Sequence, residues 1–294
     1  MQIYNIEQGD KAKYDLIRFP GGELHVRIHE PVMAEVEKAD SIAVTSRVNN
    51  SDKLIETFLL CDAVRQDTER QISLILPYLP YARADRRFSS GDCFGIATLS
   101  RLVNSANVNV VTLDAHSAQG LQCFHRIMDL PSDPFIEKAY TFFSANKTEP
   151  VTLLFPDKGA RQRYGSISDS YEHVLHCSKE RDLLTGKLKG FKVPEASEFK
   201  TKKVLLVDDI CDGGGTFNGI GHSLEEYGLS LALYVTHGIF SKGLDELSKH
   251  FARIYTTDSF SKTPVIAENV DSSMLTIFPT QEYFLERIPA LQRT

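Results

Sequence analysis

Three aspartates stand beside a run of glycines directly after an apolar segment. Asp208 and Asp209 follow Val204–Val207, and next come a third carboxylate and a loop: Asp212, Gly213, Gly214, Gly215 and Thr216. Glycines let backbone N–H groups approach a ligand closely, and a helix that begins there adds donors, which suits a phosphate. Carboxylates instead accept hydrogen bonds from sugar hydroxyls or bind hydrated Mg²⁺. The alternative is a tight turn with solvated acids, but this composition favours a sugar-phosphate site.

Three further segments carry charged side chains that could serve phosphate chemistry. The basic turn YARADRR (81–87) follows an apolar run and offers Arg83, Asp85, Arg86 and Arg87. His116 comes just after an apolar run that ends in Asp114, and the segment SKERD contains Lys179 and Arg181. Guanidinium and ammonium groups bind polyphosphates and stabilise the charge on a transferred phosphoryl group. Alone, each segment reads as a solvated charged loop or a surface histidine, so only their joint presence indicates a site.

Apolar runs alternate with helical patterns along the chain. Candidate strands rich in Val, Ile, Leu and Thr cover residues 41–48, 71–81, 108–115, 150–159, 202–209, 229–240 and 252–259. Near-continuous hydrophobicity is typical of strands that are buried on both faces in a parallel sheet. Ser51–Val64 and Gly95–Ala106 have helical spacing, with Ser51 as the predicted N-cap. The alternation predicts βαβ units and an α/β fold.

The order of these elements predicts two domains. An early segment, GELHVRIHEPV, alternates apolar and polar residues, which predicts a strand with one wet face in an antiparallel pair or at an edge. The series of longer apolar strands then occurs twice, on either side of the proline-containing segment Asp129–Phe135. We therefore predict two similar α/β domains, residues 1–133 and 134–294, with a C-terminal tail of about 275–294 that packs back on the first domain.

Bulk composition narrows the class of function. The 294 residues are 42% apolar and 24% charged, which is ordinary for a globular protein with a hydrophobic core. The formal charge of −6 argues against a general binder of nucleic acids or anionic membranes. The sequence has neither an apolar run of about 18 residues nor a secretion signal, so no membrane span is predicted. Five scattered cysteines without a CxxC pair predict free thiols and a cytoplasmic protein.

Several motifs together resemble one known family. FPGGELHVRI, ILPYLPYARADRR, VTLDAHSAQG, LLFPDKGARQRY, SKERD, VDDICDGGGT and VTHGIF occur in one order along nearly the whole chain. This series is similar to the motifs of ribose-phosphate pyrophosphokinases (PRPP synthetases), which have the type I phosphoribosyltransferase fold. The resemblance implies two phosphoribosyltransferase-like domains, each a mainly parallel sheet flanked by helices. It also implies transfer of the β,γ-diphosphoryl group of MgATP to the anomeric hydroxyl of ribose 5-phosphate, with release of AMP.

The resemblance assigns roles to individual residues. For ATP, in the first domain, it implies Phe19, Glu23, Arg83, Asp85, Arg86, Arg87 and His116. For the ribose phosphate, in the second domain, it implies the three aspartates and the loop from Gly213 to Thr216. His116 and Asp157 would hold Mg²⁺, and Lys179 with Arg181 would stabilise the transition state.

Oligomerisation is part of the same resemblance. In similar proteins the phenylalanine that matches Phe19 stacks on adenine, and it comes from a neighbouring subunit together with the residue that matches Glu23. A homodimer or homohexamer with a shared ATP site is therefore implied. The other partners are small molecules, with no nucleic acid and no membrane.

Departures from the family pattern bear on the substrates. Gly21 stands where the family has aspartate, Ala84 stands where it has glutamine, and FSSGD (88–92) lacks the usual arginine, so the nucleotide contacts are altered. Gly213 stands where the family has threonine, which removes one hydroxyl donor to the phosphate and adds space. The resulting hypothesis is that the acceptor is larger than ribose 5-phosphate and that its phosphate is already esterified to a further group. ADP-ribose would fit it, giving ADP-ribose pyrophosphate in NAD salvage.

Two other classes of protein compete with the diphosphotransferase. A phosphoribosyltransferase shares the fold and the aspartate loop, but it does not need the ATP-side residues or Lys179 and Arg181. A non-catalytic regulatory homologue would explain the altered positions Gly21 and Ala84, yet the catalytic lysine and arginine and all three loop aspartates are retained. Release of AMP from ATP discriminates among these classes.

Overall fold

The computed structural model describes residues 2–66, 68, 70–181, 188–262 and 272–288, with the side chains of residues 179–181, 188–191 and 272 excepted. The chain divides into two compact units. Unit 1 contains Met1–Leu130, Ser259–Ser261 and Pro279–Thr294, and unit 2 contains Pro131–Asp258 and Lys262–Phe278. The predicted boundary fell between residues 133 and 134. Unit 1 instead reaches Leu130, and Pro134 lies in the first turn of a helix that begins at Asp133 and belongs to unit 2.

Unit 1 is built on one parallel sheet. In chain order its elements are β1 (Ile3–Glu7), β2 (Tyr14–Arg18), β3 (Leu24–Ile28), α1 (Glu30–Lys38), β4 (Ser41–Thr45), α2 (Ser51–Gln66), β5 (Ile72–Leu76), α3 (Gly95–Ser105), β6 (Asn109–Leu113), α4 (Ala118–Leu121) and β7 (Ile127–Leu130). The sheet order is β1-β4-β5-β6-β7, and every neighbouring pair is parallel. β2 and β3 form a separate antiparallel hairpin.

Unit 2 repeats this architecture with a larger sheet. Its elements are α5 (Asp133–Phe143), β8 (Val151–Phe155), α6 (Lys158–Arg163), α7 (Gly165–Ser168), β9 (Val174–His176), β10 (Ser178–Arg181), β11 (Leu188–Lys192), β12 (Lys203–Cys211), α8 (Gly215–Leu224), β13 (Ser230–Gly238), α9 (Asp245–Ser248), β14 (Arg253–Thr257) and β15 (Leu275–Phe278); α10 (Gln281–Leu285) belongs to unit 1. The sheet order is β15-β14-β13-β12-β8-β9, parallel throughout, and β10 and β11 form a hairpin outside it.

Burial explains why the sequence patterns predicted these sheets. All residues of β4, β5, β6 and β8 are buried, as the continuous apolar runs require. β3 instead alternates, with Val26 buried and His25 and Arg27 exposed, which confirms the predicted strand with one wet face. No helix among the described residues is long and apolar enough to span a membrane.

Two local predictions are corrected by the structure. Asn50, not Ser51, caps α2, because the Asn50 side chain accepts a hydrogen bond from the N–H of Lys53 at 2.9 Å. Ile55, which the helical spacing placed on the apolar face of α2, is 51% exposed, while Glu56 is buried. Glu56 is buried because it accepts a hydrogen bond from Tyr14 at 2.5 Å and pairs with Lys53 at 2.7 Å.

Candidate active site

The basic turn of unit 1 follows β5 and packs against the start of α3. Tyr81 adopts a left-handed backbone with φ of 61°, and the N–H of Ala84 bonds to its carbonyl at 2.8 Å. A Cβ at Gly95 would come within 3.0 Å of both Tyr81 Cδ1 and Ala84 Cβ, so only glycine lets the turn approach this closely. Asp114, after β6, is also left-handed, with φ of 45°. Strained backbone at the carboxyl ends of neighbouring parallel strands is typical of functional sites.

A carboxylate links the two motifs of unit 1. Asp85 is 6% exposed, and its two oxygens accept hydrogen bonds from Arg86 at 3.0 and 3.2 Å. The Arg86 guanidinium holds the pKa of Asp85 below its usual value, with help from a Ser117 hydrogen bond and the charge of His116. The structure therefore brings the basic turn and the His116 segment together, as the sheet topology requires. Arg83, Arg86 and Arg87 present guanidinium groups at the surface of this turn.

The loop 88–92 and the β2–β3 hairpin complete the predicted ATP residues. Asp92 accepts hydrogen bonds from the N–H groups of Phe88 and Ser89 at 3.0 and 2.8 Å, which closes the loop without an arginine. At the hairpin tip Phe19 is 47% exposed and stacks on His25, with ring centroids 5.7 Å apart. Glu23 lies at the same tip, where its carbonyl accepts the Phe19 N–H at 2.9 Å.

Several carboxylates lie close together in unit 2, whereas in unit 1 the carboxylate of Asp85 is paired with an arginine. Asp157 caps α6 by accepting a hydrogen bond from the Ala160 N–H at 2.8 Å. Asp208 is partly buried, and its pKa is raised well above the usual value. The main cause is burial, followed by the negative charge of Asp209 and, to a smaller extent, that of Asp157. Asp209 is 4% exposed and is 3.5 Å from the Nη1 of Arg163, the last residue of α6. The carboxyl ends of β8 and β12 therefore form an acidic site that suits hydroxyl groups or a cation.

The glycine loop lies between β12 and α8. Gly214 has φ of 73°, which favours glycine, and α8 begins at the next residue, so its first N–H groups face the loop. Asp212 accepts a hydrogen bond from the Ser241 hydroxyl at 2.6 Å, and its carbonyl accepts the Ser241 N–H at 3.1 Å. Burial raises the pKa of Cys211 to about 12, so this thiol is not a nucleophile.

The predicted catalytic residues lie on the β10–β11 hairpin. Lys179 pairs with Phe191 in the antiparallel register, and an irregularity in pairing falls between Glu180 and Arg181. The side chains of Lys179 and Arg181 lie outside the described residues, so their predicted roles stay predictions. Cys177, directly before the hairpin, is buried, and burial raises its pKa to about 12.

Comparison with known proteins decides the family. Residues 2–106 match a profile for the N-terminal domain of ribose phosphate pyrophosphokinase, and residues 137–268 match the phosphoribosyl transferase domain. A ribose-phosphate pyrophosphokinase from Pyrococcus furiosus is 30% identical over 266 residues, which are 88% of this chain and 90% of that protein. This chain belongs to the ribose-phosphate pyrophosphokinase family.

Other members of the pyrophosphokinase family extend the comparison. The protein of that name from Granulibacter bethesdensis is 29% identical over 94% of this chain and 89% of its own length. The crystal structure of phosphoribosylpyrophosphate synthetase from Mycobacterium smegmatis covers 95% of this chain and 90% of its own chain, with a TM-score of 0.76 and 21% identity. That likeness confirms the predicted α/β fold with two phosphoribosyltransferase-like domains.

Three polar side chains in these clusters were missed by the sequence reasoning. Arg163 pairs with Asp209, Ser117 binds Asp85, and Ser241 binds Asp212. A signal was available for two of them. Arg163 lies in the same motif as Asp157, and Ser117 directly follows His116. Ser241 follows VTHGIF, but nothing in the sequence indicates that its hydroxyl turns back to the aspartate loop.

Carboxylates of unit 2 are the candidate ligands for a metal ion. No group of three or more His, Cys, Asp or Glu is arranged as a metal site in the part of the chain that the structure describes. Mg²⁺ nevertheless fits the acidic cluster of unit 2, because it binds through one or two carboxylates and retains water and phosphate oxygens as ligands. The raised pKa of Asp208 indicates crowded carboxylates, which a cation stabilises.

Proposed function

We propose that this pyrophosphokinase makes PRPP from MgATP and ribose 5-phosphate and releases AMP. The supporting observation is that one chain contains both the Asp85–Arg86–Ser117 cluster of unit 1 and the aspartate–glycine loop of unit 2. A phosphoribosyltransferase needs only the second. Relatives that match 88 to 94% of the chain are named ribose-phosphate pyrophosphokinases, which supports the same reaction here.

On the donor side, the basic turn would bind the triphosphate. Arg83 and Arg87 are exposed and would contact phosphate oxygens, while Arg86 is oriented by its two hydrogen bonds to Asp85. Phe19 would stack on adenine, and Glu23 would bind the base near its amino group. With Gly21 and Ala84 in place of two polar side chains, adenine recognition depends more on stacking and less on hydrogen bonds.

On the acceptor side, the aspartates would hold the sugar and the loop would hold its phosphate. Asp208 and Asp209 accept hydrogen bonds from vicinal ribose hydroxyls, which replaces unfavourable contacts between carboxylates by favourable ones with donors. Backbone N–H groups of Gly213 to Thr216 and the start of α8 would donate to the 5-phosphate. Arg163, paired with Asp209, would hold that carboxylate in place.

In the transfer, the anomeric oxygen bonds to the β-phosphorus while the bond from that phosphorus to the α,β-bridging oxygen breaks. The hydroxyl proton passes to solvent, and AMP leaves with the bridging oxygen. Lys179 and Arg181 would stabilise the charge that develops on the transferred phosphoryl oxygens. Mg²⁺, if held by Asp157 together with water and phosphate oxygens, would neutralise phosphate charge. Positioning supplies the rest of the rate enhancement.

The direct test is AMP release from MgATP with ribose 5-phosphate or ADP-ribose as separate acceptors at equal concentration. Mass spectrometry of the products should show ribose 5-phosphate gaining one diphosphate. Preference for ADP-ribose would instead identify Gly213 as the mark of a changed acceptor. Absence of AMP with either acceptor, in a protein that binds MgATP, would contradict catalysis and favour a regulatory homologue.

Oligomerisation and location are proposed on the same basis. If Phe19 of one subunit serves the ATP site of the next, mixing Phe19→Ala and Asp208→Asn variants should restore part of the activity, since a hybrid interface contains one intact site. Light scattering would separate a homodimer from a homohexamer. The proposed compartment is the reducing cytoplasm, where the five free cysteines are stable as thiols.

A further inference from the structure

Lys242 lies across the glycine loop of unit 2. A Cβ built at Gly213 would be 3.4 Å from both Cδ and Cε of Lys242 and 3.7 Å from its Cγ. The aliphatic stem of this lysine therefore lies where the side chain of residue 213 would otherwise project. Its ammonium group is one bond beyond Cε, at the surface of the loop.

The backbone around Lys242 is fixed to the same loop. Its neighbour Ser241 binds the carbonyl and the carboxylate of Asp212, at 3.1 and 2.6 Å. Two residues earlier, the N–H groups of Ile239 and Phe240 both donate to the carbonyl of Cys211, at 2.9 and 3.1 Å. Gly243 turns the chain with φ of 73°, and its N–H bonds to Phe240 at 2.8 Å. Lys242 is thus held beside the phosphate loop by four hydrogen bonds from its own segment to Cys211 and Asp212.

The charge of Lys242 is available for a ligand. The residue is exposed, and no hydrogen bond or ion pair with its ammonium is formed by the described residues. The nearby carboxylate of Asp212 already accepts the Ser241 hydroxyl. The ammonium of Lys249, in contrast, pairs with Glu246 at 2.6 Å.

We propose that Lys242 binds the phosphate of the acceptor and substitutes for the hydroxyl donor that Gly213 cannot supply. The inference rests on the proposed function, because it assumes that this loop binds a sugar phosphate. An ammonium is a compact charge with three donors on a flexible stem, so it can reach a phosphate oxygen at the loop without needing a fixed geometry. It also offsets the repulsion between a phosphate and the aspartates beside it.

The main experiment is calorimetric binding of ribose 5-phosphate to the full chain, which needs no turnover. Lys242→Met retains the stem and removes the charge; we expect the Kd to rise about tenfold, as for the loss of a charge-assisted hydrogen bond. Lys202→Met is the matched control, because Lys202 is an exposed lysine at the opposite end of β12, and its Kd should stay at the wild-type value. The Kd of the wild type should weaken with salt more steeply than that of Lys242→Met.

A restoring variant separates ligand binding from folding. The backbone of Gly213 is not left-handed, and a side chain there would meet only the movable stem of Lys242. Gly213→Thr in the Lys242→Met background should therefore recover a large part of the lost affinity by returning a hydroxyl donor. Lys242→Arg, which retains a cation, should bind more tightly than Lys242→Met. A merely structural lysine would give neither recovery.

The outcomes distinguish this inference from the proposed function. A Kd for ribose 5-phosphate that Lys242→Met leaves unchanged, or no binding by the wild type, overturns the role of Lys242 whatever the enzyme does. AMP release by the wild type, measured separately, tests the proposed function. In the active enzyme, Lys242→Met should raise the KM for the acceptor about tenfold while the KM for ATP stays constant. Equal rises in both KM values would contradict a contact with the acceptor phosphate.

Discussion

Both units place carboxylates at the same edge of similar parallel sheets, yet their surroundings shift the carboxylate pKa values in opposite directions. In unit 1 Asp85 is bound by Arg86 and Ser117, and its pKa is lowered. In unit 2 Asp208 is beside Asp209 and near Asp157, and its pKa is raised. Both sites therefore lie toward the carboxyl ends of parallel strands, whereas the charge around the carboxylate differs.

The difference reflects the ligand that each site would bind. A nucleoside triphosphate brings several negative charges, so unit 1 uses its carboxylate to orient arginine and leaves further guanidinium groups exposed. A sugar brings neutral hydroxyls, so unit 2 would present acceptors to it and would bind its phosphate at a glycine loop and a helix start. Fold alone does not separate these functions, and the local charge does.

The largest expected effect is that of removing one charge from the crowded site. Asp208→Asn should lower kcat/KM for ribose 5-phosphate by about a hundredfold or more, since an oriented acceptor to the sugar is lost. The same change should raise the thermal midpoint at pH 7 by about 2 °C, because it relieves repulsion from Asp209. Activity and calorimetry on the same preparation measure both.

The pH dependence of Asp208→Asn gives a sign that can be checked. Because the folded-state pKa of Asp208 is raised, the folded protein holds this proton to higher pH than the unfolded chain does. Wild-type stability should therefore fall as the pH rises from about 4 through the raised pKa, and the asparagine variant should lack this fall. A variant that is less stable than the wild type at pH 7 would contradict the crowding of the acidic site.

Removing the arginine from unit 2 should have the next largest effect. Arg163→Met removes the cation that is 3.5 Å from the buried carboxylate of Asp209 and should cost about 3 kcal/mol of unfolding free energy. Urea unfolding at pH 7 measures this loss. The double variant Arg163→Met/Asp209→Asn is the control, and it should recover most of the stability because the buried charge is removed as well. Equal losses in the single and double variants would show that Arg163 acts by packing alone.

The carboxylate of unit 1 should give the opposite pH profile to that of unit 2. Its lowered pKa contributes stability that is present above the unfolded value of about 4 and is lost as the pH falls through the folded value. Asp85→Asn should therefore reduce stability at pH 7, and the loss should shrink progressively as the pH falls below about 4. The loss at pH 7 should be modest, since Arg86 is 62% exposed and solvent screens the pair. The variant should also raise the KM for ATP, because Arg86 loses its orientation. If Asp85→Asn were more stable than the wild type at pH 7, the carboxylates of the two units would not differ in their effect on stability.

The sequence was sufficient to predict the parallel sheets and the gathering of candidate residues toward the carboxyl ends of their strands. Continuous apolar runs in β4, β5, β6 and β8 can be buried only in a sheet covered on both faces, and parallel strands place the residues after them at one edge. Asp208, Asp209 and Asp157 could be grouped for that reason. The side chains that complete the sites could not all be found, because Ser241 reaches Asp212 from 29 residues away.

Errors in the helix faces have a similar cause. Hydrophobic spacing predicts that Ile55 is buried and Glu56 exposed, whereas the structure shows the reverse. Glu56 can be buried because Tyr14 donates a hydrogen bond to its carboxylate and Lys53 forms an ion pair with it. A periodic pattern counts apolar residues and cannot see a partner from a distant strand. The same limit applies at Asp85, where the residue type is known from the sequence but the lowered pKa depends on Arg86 and Ser117 together.

The smallest expected effects come from the two serines, and they test the assignment of substrates to the two units. Ser241→Ala removes the hydroxyl that donates to Asp212, and Ser117→Ala removes the one that donates to Asp85. Each loss should change one Michaelis constant about threefold, as for one neutral donor on a carboxylate. Ser241→Ala should raise the KM for the acceptor, and Ser117→Ala should raise the KM for ATP. If either serine shifts both constants equally, the two clusters serve one shared step, and the division of donor and acceptor between the units is wrong.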